Sequence, residues 1–136
     1  MNARLQRIMD LKEAYEDTLR KEAIAAFKEE FTSFFDSLPE VEAVRWRQYT
    51  PYFNDGSPCE FAVHGMNVRL RDVECADSDY DDGFFSTYGF QLPAHIRAAV
   101  KKLEEIDESI FLACFGDHSL VTATRNGFAV EEYSHD

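Results

Sequence analysis

The chain has 136 residues, enough for one domain able to bury its own core without disulfide or metal staples. Hydrophobic residues make up 45%, with twelve Phe and six Tyr, which argues against disorder because aromatic burial offsets the entropy lost on ordering the chain. Fourteen Lys and Arg stand against 26 Asp and Glu, a formal net charge of −12, which disfavours nonspecific nucleic-acid binding, since that affinity rests on cations neutralising phosphates.

Residues 5–38 carry apolar side chains at Leu5, Ile8, Leu11, Tyr15, Leu19, Ala23, Phe27, Phe31, Phe34 and Leu38, in steps of three or four throughout. This spacing predicts one amphipathic helix, supported by the acid-before-base pairs Glu16/Arg20 and Asp17/Lys21 and stopped by Pro39, which biases Leu38 away from helical geometry. About 35 helical residues at about 1.5 Å each give about 50 Å, more than the diameter of a compact domain of this size. The helix must therefore either break, near Lys21, or project. A projecting amphipathic helix invites a second copy, and a homo-oligomer is expected.

VEAVRWRQY (41–49) alternates Val44, Trp46 and Gln48 against Arg45, Arg47 and Tyr49 and predicts a strand, with Trp46 toward the core and the two arginines away from it. EFAVHG and MNVRLR supply two further short strands or one strand bent at Gly65. Residues 72–82 form an acidic loop, and FFSTYGFQ after it is ambiguous. Pro93 opens a helix through Ile96, Val100, Leu103 and Ile106, and SIFLACFG reads as a second helix ended by Gly116, with a buried strand as the alternative. SLVTATRNGFAVEEYS is a β-hairpin signalled by Asn126-Gly127. The order predicts an α+β fold with an antiparallel sheet in a single domain over 1–136, helix 1–38 followed by an α+β body over 40–136.

YTPYFNDGSPCEF (49–61) suits a long hairpin connection, since Pro51 and Pro58 set φ and Asn54-Asp55-Gly56 tolerates positive φ. Its aromatics Tyr49, Tyr52 and Phe53 exceed what a surface turn needs, so the loop is expected to fold back on the body, with Cys59 as a small buried residue. RWRQYTPYFNDGSPCEF together with the ending FGDHSLVTATRNGFAVEEYSHD resembles a family of small acidic proteins from tailed-phage and bacterial genomes. The resemblance covers these two blocks, carries no catalytic or binding residues with it, and implies a setting among phage or mobile-element accessory proteins that act by binding host machinery, host defences included.

Several clusters have chemistry to offer. Asp77, Asp79 and Asp81 fall at the first three ligand positions of a calcium-binding EF-hand loop, but Asp82 stands where its glycine belongs and Tyr88 where its glutamate belongs, so a solvated acidic surface of Asp77, Asp79, Asp81 and Asp82 is expected instead. A two-residue Asn126-Gly127 turn would set His118 opposite His135, a weak candidate pair for a transition metal; no metal or other cofactor is otherwise expected. Arg45 and Arg47 on one strand and Arg69 and Arg71 on another could converge, and with Tyr49 and Tyr52 they would suit a phosphorylated, nucleotide-like ligand. Pairing with Glu42, Glu60 and the acidic loop is the plainer alternative. No catalytic constellation appears, neither a Ser/His/Asp set nor a phosphate-binding glycine loop. The expectation is a non-enzymatic binding protein: an acidic cover for a basic host protein, a sequestrant of a phosphorylated ligand, or a structural homo-oligomer. Three cysteines (Cys59, Cys75, Cys114) at spacings that fit no zinc ribbon, no signal-like segment before MNARLQR, and no run near the roughly twenty apolar residues of a membrane span point to a bacterial host's cytoplasm, with no membrane and no direct nucleic-acid partner.

Overall fold

A computed structural model describes residues 2–52, 56, 58–71, 83–86 and 92–134. Helix α1 (Ala3–Ser37) is followed by β1 (Val41–Tyr49), β2 (Ala62–Leu70) and the two-residue β3 (Phe85–Ser86), then α2 (Ala94–Glu104), α3 (Glu108–Phe115), β4 (Ser119–Thr124) and β5 (Gly127–Glu132). The strands form one antiparallel sheet in the order β3-β2-β1-β4-β5, so the fold is α+β.

α1 does not break. Asn2 caps its start by accepting from the Leu5 N–H at 2.8 Å, and Leu38 ends it before Pro39. Only its second half packs: Ala23, Phe27, Phe31, Phe34 and Phe35 are buried, whereas residues 3–18 are all exposed. The helix therefore projects from the sheet.

Alternation along β1 places Val44, Trp46 and Gln48 on the helix side, where Trp46 is wholly buried in a cluster with Phe31, Phe111 and Phe115. Arg45 and Arg47 point to the opposite face and are half-buried. The core continues through Met66, Val68, Ile96, Val100, Leu103, Val121 and Ala123, which joins both short helices to the sheet. β2 is a single strand, bent where Gly65 takes φ +55° and the register shifts opposite Trp46. This bulge keeps Met66 on the core side and returns Asn67 and Arg69 to the outer side.

The β4–β5 hairpin corrects an expectation. Its turn is Arg125-Asn126, not Asn126-Gly127; Thr124 pairs with Gly127, which opens β5 at φ +127°. His118 is therefore set against Tyr133, whose N–H donates to the His118 carbonyl at 2.7 Å, and not against His135, so the premise of a two-histidine metal site is lost. The slip is by two residues, so Val121, Ala123, Phe128 and Val130 stay on the face expected of them.

The physical reason lies in Arg125. From the turn its guanidinium donates to the carbonyls of Val41 (2.6 Å), Phe35 (3.1 Å), Leu38 (3.2 Å) and Pro39 (3.3 Å), tying the hairpin to the end of α1, the following turn and the start of β1. Arg125→Ala is expected to cost about 2 kcal/mol, charge-assisted bonds partly offset by water. Arg125→Lys should recover only part, because one ammonium cannot span four carbonyls. Urea denaturation checks both; equal stability of Lys and Arg would refute the fork geometry.

Candidate binding face

The outer face of the sheet, away from the helices, gathers most of the arginines singled out in the sequence. Arg45 lies opposite Asn67, and Ala43 opposite Arg69, so Arg45 and Arg69 are diagonal neighbours across β1 and β2. Both guanidiniums lie over the Phe84 ring, at 4.4 and 4.9 Å from its centre, and Phe84 is buried beneath them. Arg69 also pairs with Glu42 at 3.4 Å, and Arg45 Nε donates to Thr122 Oγ1 at 3.4 Å. Arg47 lies 5.5 Å from the centre of the Tyr133 ring. Arg71 stands apart, exposed just beyond β2, with its backbone N–H held by the Glu40 carbonyl. Three of the four arginines thus share one face, and the fourth sits at its corner.

Aromatic rings continue the same face. Tyr49 stacks on His64 at 4.2 Å and approaches Tyr133 at 5.5 Å. Tyr52, largely exposed on one side, stacks on His118 at 5.0 Å with the rings only 11° from parallel. The segment after β1 is tied down by Asp117, whose carboxylate accepts from the Thr50 N–H and from the Thr50 hydroxyl, each at 2.8 Å, and from the His118 N–H at 2.9 Å. Burial works to raise the Asp117 pKa, but the bonds from Thr50 and His118 outweigh it and hold the carboxyl below its ordinary range. Tyr49 and Tyr52 thus fold back on the body as expected; Phe53, Asn54 and Asp55 lie outside the described residues. Cys59 corrects the reading of that loop: it is exposed, because it precedes β2 without joining the core. Cys114 is the more enclosed thiol, pushed up to about 11 by burial against the pull of Arg20 and Lys28, and so protonated at neutral pH.

Phe84, His64 and Tyr133 were not among the residues singled out from the sequence. Tyr133 and His64 follow from strand parity once the register is known. Phe84 had no periodic signal, since it lies just before β3, which is itself only two residues long.

Asp77, Asp79, Asp81 and Asp82 lie outside the described residues, as does His135. A described acidic corner stands at the α2–α3 junction, where Glu104, Glu105, Asp107 and Glu108 are all exposed. Burial raises the Glu104 pKa despite nearby Lys101, while the Ser109 side-chain and backbone donors lower that of Asp107, which caps α3. Among the described residues no group of three or more His, Cys, Asp or Glu is placed to hold a metal ion, and no helix is long and apolar enough to cross a membrane. Comparison with protein-family models, with curated proteins and with solved structures gives no match.

Proposed function

We propose that the protein is a non-enzymatic accessory protein, of phage or bacterial origin and working in the bacterial cytoplasm, that binds a basic host protein through its acidic surface. The net charge of −12 carries this reading. Opposite charge speeds encounter and disfavours wrong partners. The exposed carboxylates of Glu104, Glu105, Asp107 and Glu108 support it, together with the acidic run Asp77, Asp79, Asp81 and Asp82. Arg45 and Arg69, engaged by Phe84 and Glu42, act in this reading as structural cations that hold the outer face together.

The convergence of Arg45 and Arg69 on one ring favours a second reading, in which the outer face holds a phosphorylated ligand by charge-assisted bonds with Tyr49 and Tyr52 available for stacking. One comparison separates the two. Changing Asp77, Asp79, Asp81 and Asp82 to Asn together is expected to abolish the protein's biological effect with folding intact, while Arg45→Gln with Arg69→Gln leaves it. The reverse dependence, with a nucleotide raising the melting temperature of the unsubstituted protein, would establish the ligand reading instead.

A further inference from the structure

We infer that the projecting half of α1 is a self-association element that pairs antiparallel with the same segment of a second copy. The inference is independent of which charged face of the body binds a partner. Leu5, Ile8, Leu11 and Tyr15 are 50, 56, 60 and 68% exposed, large values for four apolar side chains on a single helix face. Further along α1, Ala23, Phe27, Phe31 and Phe34 are buried against the body. At about 100° per residue, Leu5, Ile8, Leu11 and Tyr15 fall within about 120° of one another, on one side of the helix. This apolar side of the projecting half of α1 is thus left uncovered.

Charge identifies the occupant as a second copy and sets its direction. Residues 3–9 carry Arg4 and Arg7 and no acid, a net of +2; residues 10–17 carry Asp10, Glu13, Glu16 and Asp17 against Lys12 alone, a net of −3. An antiparallel copy lays the basic end of each helix along the acidic end of the other. A parallel copy would set like against like and crowd two acidic bodies together at one end. With the twofold axis near residues 10 and 11, Leu5 of one chain comes level with Tyr15 of the other, and Ile8 and Leu11 fill the centre. The overlap is about 24 Å of helix. The stretch from the axis to Ala23 is about 19 Å on each side, which leaves the two bodies clear of each other. An interface of this length falls at the small end of the standard size range, so a dissociation constant in the micromolar range is expected.

Sedimentation equilibrium of the full chain decides it. A dimer of twice the 15.7 kDa chain mass is expected on raising the concentration to about 200 µM, well above that dissociation constant. Ile8→Glu with Leu11→Glu should give a monomer whose near-ultraviolet circular dichroism is unchanged, since neither side chain touches the body. R4E/R7E alone and E13K/E16K alone should each weaken the dimer about tenfold, and their equimolar mixture should restore it. A monomer at the highest concentration, a trimer or larger assembly, a dimer indifferent to the apolar substitutions, or charge-reversed homodimers as tight as the original would each overturn the inference; the last is the result parallel pairing gives.

Discussion

Trp46→Ala is expected to destabilise the protein by about 3–5 kcal/mol, a large share of the roughly 5–15 kcal/mol that holds a domain of this size together. The ring is completely buried, stacked on Phe31 at 5.6 Å and met edge-on by Phe111 at 5.7 Å and Phe115 at 5.6 Å. Its removal opens a cavity where α1, α3 and β1 meet and cancels three aromatic contacts, each worth about 0.5–1.5 kcal/mol beyond its buried area. It also strips Gln48 Oε1 of the indole N–H that donates to it at 2.9 Å. Trp46→Phe keeps most of the hydrophobic volume and should cost about half as much. Urea denaturation followed by circular dichroism measures both. A loss under about 1 kcal/mol for the alanine variant would mean that the aromatic cluster is not the centre of the core.

Gln48→Leu is the second large effect, about 2–4 kcal/mol, although leucine has nearly the same volume and is apolar. Gln48 is fully buried between the sheet and α3. The indole N–H of Trp46 can only donate, so Oε1 must face it, and the amide nitrogen then donates to the Phe111 carbonyl at 3.0 Å and the Gly116 carbonyl at 2.7 Å. Leucine would leave one donor without a partner and deprive two carbonyls of theirs, and the loss falls on the join between β1 and the end of α3. Gln48→Glu distinguishes lost bonds from lost packing. A carboxylate there faces two carbonyl oxygens in a dry site, so its folded pKa would be raised above the unfolded value. The neutral form favours folding, and that stabilisation is present below the unfolded pKa and lost as pH rises through the folded one. Gln48→Glu should therefore be clearly more stable at about pH 4 than at pH 7, relative to Gln48→Leu. An identical pH profile for the two variants would place Gln48 in contact with water.

The same residues mark how far one-dimensional pattern reaches. Steps of three and four through Leu5 to Leu38 and period-two alternation through Val44, Trp46 and Gln48 are local consequences of helix and strand geometry, so α1, the side of the sheet that Trp46 occupies and the outward direction of Arg45 and Arg47 were all legible from the chain. Gln48 sat in that alternation as a core position, but nothing local indicated that a buried amide would have a donor and two carbonyls waiting for it. Asn126-Gly127 carried a strong turn signal, and yet the turn formed one residue earlier, because Arg125 in the turn reaches four carbonyls at the end of α1 and beyond, a gain that exists only once helix and hairpin are packed. Arg45 and Arg69 were visible as two pairs on two strands. Whether those pairs shared a face depended on the bulge at Gly65, and their common ring, Phe84, lies just before β3, a strand too short to have a period. Length and hydrophobic stripe required α1 either to break or to project. The choice was made by the body, whose surface along the helix ends near Ala23, so that the apolar side chains are core on one side of that residue and exposed on the other.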